Sequence, residues 1–247
     1  MAISITDTMS EIREAIILAG GLGTRLSNIL PDLPKCMAPI NDKPFLEYLL
    51  EYLIKENITR VILSVGYKHE IIVNHFGENY KNLEIVYAIE TEPLGTGGAI
   101  AFASQLTINN NFFVLNGDTF FTANLDELEK FHFKKKSNIS IIVRQINDKL
   151  RYGTVITDDN YRIIGFKEKQ INNDNIYING GIYMINKNIF SIVNLDKKFS
   201  FEKDLLEKYY SSIPFYALDS KAYFIDIGIP EDYEKAINEI PLYIKVK

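Results

Sequence analysis

The sequence predicts an α/β fold in which a mixed, mostly parallel sheet is flanked by helices. Two observations predict it. In the first half, short runs rich in Ile, Val, Leu and Phe alternate with stretches of helical periodicity, the pattern of β-α-β units on a parallel sheet. Glycine-rich turns follow two of those runs, where open α/β sheets place ligands.

Glu14 to Ala19 (EAIILA) is a short apolar run that ends in glycines and reads as a buried strand. Phe45 to Lys55 (FLEYLLEYLIK) repeats apolar residues at helical spacing. Arg60 to Val65 is the next buried strand, Lys68 to Phe76 a second helix, Leu83 to Ile89 a third strand, Thr96 to Leu106 a helix opened by glycines, and Asn111 to Leu115 a fourth strand. The second half changes character. Ser140–Arg144, Gly153–Thr157, Arg162–Lys167 and Gly181–Ile185 read as closely spaced strands with little helix between them. Phe201 to Tyr210 is a helix, Ala222 to Ile227 a late strand and Glu231 to Ile240 a terminal helix. This Rossmann-like alternation fits one continuous sheet, with residues 1–247 as a single domain and no repeat or low-complexity linker.

A chain of 247 residues that is 47% hydrophobic and 24% charged can bury a sizeable core. Its net charge of −5 argues against general binding to nucleic acid or an anionic membrane surface. Any polyanionic ligand must then be held by a few placed cations and a metal. The one cysteine, Cys36, forbids an internal disulfide, and no run reaches membrane-spanning length. The polar, acid-bearing N-terminus does not read as a signal peptide, so the expected compartment is the cytoplasm.

The segment Leu18 to Leu26 reads LAGGLGTRL. Glycines let backbone amides approach phosphate oxygens, and Arg25 adds a forked cation suited to them. A Walker A string is absent, and Gly21 and Gly23 lack the last small residue of a dinucleotide fingerprint, since Leu26 stands there. Lys35 lies in PDLPKCMAPI, where Pro31, Pro34 and Pro39 stiffen the loop and hold the cation in place. EPLGTGGA brings Gly95, Thr96, Gly97 and Gly98 to the mouth of a helix, a place for close ligand approach. Asp118, in LNGD after the FFVL strand, and Asp226, after YFI, are two carboxylates from distant strands that could hold one Mg²⁺ between them. His69, His75 and His132 lack metal-site spacing and read as structural or surface residues, and Cys36 as packing.

LAGGLGTRL, followed by Leu33-Pro34-Lys35 and Pro39, resembles the signature of the sugar-1-phosphate nucleotidyltransferases, and the later motifs follow in that family's order from Glu14 to about Ile240. The resemblance implies the nucleotide-diphospho-sugar transferase fold, with a nucleotide-binding half at about 14–118 and a sugar-binding half at about 119–240. It implies that Leu18, Gly20, Gly21, Gly23, Thr24, Gly95, Thr96 and Asp118 bind the nucleotide, with Arg25 and Lys35 acting on the phosphates. Tyr152-Gly153-Thr154, FKEK and INGGIY resemble the sugar-binding segments, which gives Gly153, Glu168, Lys169, Asn179 and Gly180 to the sugar phosphate; Gln170 stands where the family usually has Pro after that Lys. Asp118 and Asp226 become the ligands of Mg²⁺.

Among the family's branches, EAIILAGGLGTRL, DLPKCMAPI, PFLEYLL, PLGTGGA and LNGDTFF most resemble heptose-1-phosphate guanylyltransferases; mannose- or glucose-1-phosphate nucleotidyltransferases using GTP, UTP or dTTP are the alternative, and a non-catalytic nucleotide-sugar sensor a second. Glu90 bears on the base. Thymidylyl and uridylyl members usually carry Gln at the matching place, whereas a carboxylate suits the two adjacent donors of guanine. The implied partners are a nucleoside triphosphate and a sugar 1-phosphate. A homo-oligomer is compatible with the sequence and not required by it.

Overall fold

The computed structural model describes residues 12–21, 33–145, 154–167 and 176–244. The chain enters the sheet at β1 (Glu14–Leu18). A 3-10 turn at Lys35–Met37 precedes the small hairpin β2 (Pro39–Ile40) and β3 (Lys43–Pro44), which delivers the chain to α1 (Phe45–Lys55). Pro44 stands in the extended region just before α1, as a residue that cannot donate a backbone hydrogen bond readily does. There follow β4 (Arg60–Val65), α2 (His69–Phe76), β5 (Asn79–Tyr80), β6 (Leu83–Ile89), α3 (Gly95–Ser104) and β7 (Asn111–Asn116).

Strands β1, β4, β6 and β7 are parallel neighbours, in the order β7-β1-β4-β6. Their side chains alternate between two apolar clusters: Ala15, Ile17, Leu63 and Leu115 pack with α1 on one face, and Ile16, Ile62 and Val114 pack with Ile100 and Ala103 of α3 on the other. Each such side chain contributes about 1.5–3 kcal/mol by leaving water, and coverage on both faces fixes the register of the strands. At the opposite end from the site, the fully buried Glu14 carboxylate accepts from Arg60 Nη1 at 2.6 Å and from the backbone N–H groups of Ile108 and Asn109, so its charge is compensated.

The second half continues the sheet. β8 (Thr119–Phe121) leads to α4 (Leu125–Lys135) and then to β9 (Ile139–Arg144), β10 (Thr154–Thr157), β11 (Ile163–Lys167) and β12 (Ile176–Asn186). A short α5 (Ile189–Ile192), a π-helical segment at Phe201–Leu206, α6 (Glu207–Tyr209), β13 (Tyr216–Asp219), β14 (Phe224–Asp226) and α7 (Pro230–Ile244) complete it. Among the described residues ten strands form one mixed sheet, as the sequence predicts, while β14, the expected late strand, pairs with β8 in a separate two-stranded sheet, as do β2 and β3 with each other.

The structure corrects several element readings. Helix α4 covers a stretch to which the sequence assigns no element range, and it ends at the Lys134-Lys135-Lys136 run, which reads as a solvated helix end. Its apolar stripe is sparse, because only Leu125, Leu128 and His132 are buried, so the helical period is faint. The helix expected at Phe201–Tyr210 opens as a π-helical turn. Strand β12 begins five residues before the expected Gly181, and β13 was not foreseen. The Gly180-Gly181 pair lies inside β12. There the register with β9 shifts, and the strand changes its other neighbour from β10 to β7. Gly181 has φ of +72°, and a Cβ there would lie 2.8 Å from Asn116 Nδ2.

Candidate active site

A cavity of about 420 Å³ lies over the carboxyl ends of β1, β4, β6 and β7. Leu18, Ser64 and Asn116 at the strand ends form its floor, with Glu90 just past β6. Gly117 lets the floor close. Its N–H donates to Leu18 O at 3.1 Å, and a Cβ there would stand 2.3 Å from that same oxygen. Only glycine permits so close an approach of the two chain segments.

Lys35 lines the cavity from the 3-10 turn. Pro34 accepts from Met37 N at 2.8 Å, Lys35 O accepts from Ala38 N, and Cys36 Sγ points back at Ala19 O, so the turn is fixed at both ends. Burial pushes the Cys36 thiol up to about 12, which keeps it an inert packing group, as expected. Lys35 Nζ lies 2.6 Å from Asp118 Oδ2 and 3.8 Å from Asp226 Oδ1. Strand pairing brings the two acids together: β14 runs antiparallel to β8, Asp226 opposes Thr119, and Ile227 N donates to Asp118 O at 2.9 Å. Asp226 Oδ1 also accepts from Gly228 N, and a Cβ at Gly228 would crowd both that oxygen and Lys35 Nζ. Two carboxylates thus share one ammonium. Among the described residues no group of three or more His, Cys, Asp or Glu could cage a metal. A divalent ion held here would be completed by water and substrate oxygens, the usual habit of Mg²⁺.

On the β6 side the cavity ends at Glu90. Its Oε1 accepts from Ser64 Oγ at 3.2 Å and its Oε2 from Leu94 N at 3.1 Å. It faces Gly20, where a Cβ would lie 3.3 Å from Oε1. Glu90 is therefore oriented across the cavity floor and is not a loose strand-end side chain. Gly20, Gly21, Gly95 and Thr96 also line the cavity. The glycines of GTGGA, however, do different work from that expected. The N–H groups of Gly97 and Gly98 donate to Phe199 O, and a Cβ at Gly97 would lie 2.1 Å from the Phe199 ring. These two glycines admit the 197–199 segment rather than a ligand. Thr96 Oγ1 accepts from Phe201 N at 2.9 Å and keeps its O–H free to donate.

On the β12 side the wall is Tyr183, Phe201 and Glu202. Asn179 donates to Tyr183 Oη at 2.8 Å and to Glu202 Oε1 at 3.1 Å, and its own oxygen accepts from Gly181 N. Gly180 packs against Phe121 and Ile142 O, without room for a Cβ. Glu202 is open to solvent through the cavity, but the walls crowd it closely enough to raise its carboxyl pKa, with Glu207 and Asp118 adding repulsion. Sequence reasoning passed over Glu202, because SFEKD carries the signs of a helix start: Ser200 Oγ accepts from Lys203 N, and Asp204 accepts from Ser200 N. Of the expected site residues, Gly23, Thr24, Arg25, Gly153, Glu168 and Lys169 lie outside the described residues. His132 is structural, as expected; it is buried between Ser140 and Asn111, and burial lowers its pKa to about 4.

A phosphate-scale cavity at the strand ends, with a lysine between paired aspartates, defines a class of enzyme that transfers phosphorus-centred groups. Comparison with known proteins narrows it. Residues 14–241 match the sequence profile described as nucleotidyl transferase, and the chain belongs to that family of enzymes. It is 50% identical over 231 residues to the D-glycero-alpha-D-manno-heptose 1-phosphate guanylyltransferase of Aneurinibacillus thermoaerophilus, covering 94% of this chain and 100% of that one. To the enzyme of the same name from Campylobacter jejuni it is 49% identical over 220 residues, covering 89% and 96%. The crystal structure of HddC from Yersinia pseudotuberculosis, also solved complexed with GMP-PN, superposes with a TM-score of 0.82 at 39% identity over 92% of this chain and 99% of that one.

Proposed function

We propose that the protein transfers GMP from GTP to D-glycero-α-D-manno-heptose 1-phosphate, releasing pyrophosphate and GDP-heptose. The observation that carries this reading is the Lys35–Asp118–Asp226 cluster, whose Lys35 and Asp118 line one cavity together with Glu90 and Glu202. The identity to two heptose 1-phosphate guanylyltransferases and the guanine nucleotide named in the HddC complex support it.

The reaction is an in-line displacement at the α-phosphorus by a phosphate oxygen of the sugar 1-phosphate. That oxygen is already anionic at neutral pH, so no strong general base is required. The enzyme has to bring two polyanions together and neutralise the charge that builds between them. Lys35 serves the reacting phosphate. Arg25 and the amides of the glycine loop, including Gly20, Gly21, Gly23 and Thr24, serve the leaving pyrophosphate, and Lys169 the sugar phosphate. Asp118 and Asp226 would hold Mg²⁺, which when bound offsets phosphate charge. Glu90 accepts from the guanine N1–H and exocyclic amine, and Glu168, Gly153, Asn179 and Gly180 belong to the sugar side. Such an enzyme would work in the cytoplasm and feed a bacterial surface polysaccharide, capsule or lipopolysaccharide. Among the described residues no helix is long and apolar enough to cross a membrane.

The test is pyrophosphate release measured with each of four nucleoside triphosphates against a panel of heptose, mannose and glucose 1-phosphates, with Mg²⁺ and with chelator. GTP with the manno-configured heptose should give the highest kcat/KM, and chelator should abolish turnover. Better turnover of glucose 1-phosphate would overturn the sugar assignment, and full activity in chelator would overturn the metal assignment.

A further inference from the structure

We propose that Glu202 is a specificity-determining residue that accepts hydrogen bonds from the hydroxyls of the sugar 1-phosphate, with Asn179 as its positioning residue. The proposal rests on the reading of the cavity as a sugar-1-phosphate nucleotidyltransferase site and adds a residue to it.

The first argument is the state of Asn179. Both amide hydrogens are already donated, to Tyr183 Oη and to Glu202 Oε1, and the amide oxygen accepts from Gly181 N. Little hydrogen-bonding capacity is left for a ligand. What the amide does instead is fix Glu202. Glu202 Oε2 accepts no hydrogen bond from the described residues and lines the cavity, so a carboxylate oxygen is held ready there.

The second argument is the backbone beneath Glu202. Phe199 N donates to Leu94 O, Phe199 O accepts from Gly97 and Gly98, and Phe201 N donates to Thr96 Oγ1. A Cβ at Gly95 would lie 2.6 Å from Phe199 O, and one at Gly98 would lie 2.5 Å from Lys197 O. The edge-to-face contact of Phe201 with Tyr183, at 5.0 Å between ring centres, adds a further anchor. An acid exposed on a surface is ordinarily mobile; this one is held from its backbone and its side chain.

The third argument is charge. A carboxylate only accepts hydrogen bonds, so it suits hydroxyls and repels phosphate. Glu202 is tied to Asn179 of β12 and Glu90 follows β6, and in the sheet order β12-β7-β1-β4-β6 the strand that leads to Asp118, the partner of Lys35, lies between those two. With a divalent ion on Asp118 and Asp226 freeing Lys35 for phosphate, a sugar 1-phosphate would turn its phosphate toward that cluster and its ring hydroxyls toward Glu202. The chemical class recognised is therefore a polyhydroxylated sugar presenting hydroxyl donors opposite its phosphate.

Steady-state kinetics of Glu202→Gln and Glu202→Asp, with thermal melts alongside, test this. Glu202→Gln should raise KM for the sugar 1-phosphate at least tenfold, leave KM for GTP within twofold and leave the melt unchanged; Glu202→Asp should fall between it and wild type. Deoxy analogues of the best sugar 1-phosphate supply the second readout. Wild type should lose tenfold or more in kcat/KM on one of them, and Glu202→Gln should not distinguish it from the parent sugar. An unchanged sugar KM, an equal deoxy penalty in variant and wild type, or no deoxy penalty in wild type overturns the proposal. A wild type that releases no pyrophosphate with any sugar 1-phosphate overturns the underlying reading as well, which separates the two failures.

Discussion

Gly117 and Gly21 are neighbours in the cavity but should respond oppositely to alanine. At Gly117 the added methyl would lie 2.3 Å from Leu18 O and 3.0 Å from Leu18 C, both rigid backbone atoms of β1. That is about 1 Å short of ordinary contact, so the segment after β7 must part from β1. The Gly117 N–H bond to Leu18 O, now 3.1 Å, would then stretch beyond hydrogen-bonding distance. Overpacking costs about 1–3 kcal/mol and the lost hydrogen bond about 1 kcal/mol, so roughly 2–4 kcal/mol in all. In a chain of this size each kcal/mol moves Tm by about 2–4 °C, so the melt should fall by roughly 5–15 °C. At Gly21 a Cβ meets nothing within 4 Å among the described residues, so Gly21→Ala should melt with wild type. Gly21 lines the cavity, and on the proposed reading its added methyl meets the triphosphate, so turnover should fall while stability holds. Calorimetry and pyrophosphate release on both variants decide the matter. A Gly117→Ala enzyme that melts within 1 °C of wild type would refute the claim that glycine is required for closure of the floor.

Three further outcomes are expected. Glu90→Gln should keep the fold, since Ser64 Oγ can turn to accept from the new amide, but should lower GTP use about tenfold relative to UTP or dTTP, because a charged hydrogen bond is worth about 1.5–3 kcal/mol; unchanged relative kcat/KM removes Glu90 from base reading. Lys35→Met, Asp118→Ala and Asp226→Ala should each cut kcat by about 10²–10³ in a protein that still melts cooperatively; a loss below threefold would take that residue out of the mechanism. His132, at 6.5 unfolded and about 4 folded, binds its proton more readily when unfolded, so stability should fall as pH drops from 6.5 through 4, by on the order of 3 kcal/mol, and His132→Gln should flatten that limb in denaturant titrations.

The parallel half was legible because its strands are buried on both faces and therefore read as unbroken apolar runs, such as RVILSV and NFFVL. Asp118 and Asp226 could be singled out because each ends such a run. That they meet at Lys35 depends on the β8–β14 pairing, which joins two three-residue strands too short to give a periodic signal. The extent of helix α4 and the whole of strand β13 escaped for a related reason. Where burial is sparse or the element is brief, hydrophobic period carries little information.

The GTGGA glycines show where a local motif misleads. Read along the chain, glycines at a helix mouth suggest a ligand, because backbone N–H groups there are unpaired within the helix. In the fold, the Phe199 carbonyl takes those of Gly97 and Gly98, and the space the glycines leave is filled by the Phe199 ring. The sequence separation between partner segments hides this, since nothing in DKKFSFE reads as a helix cap for residues a hundred positions earlier. The consequence is functional. The loop after β6 that carries Glu90 and the segment that carries Glu202 are one packed unit, tied through Leu94, Thr96 and Phe199. The carboxylate suited to the base and the carboxylate suited to the sugar are therefore placed by the same glycines. Substituting Gly97 should displace the Phe201–Glu202 wall and raise KM for the sugar 1-phosphate, even though Gly97 itself does not line the cavity.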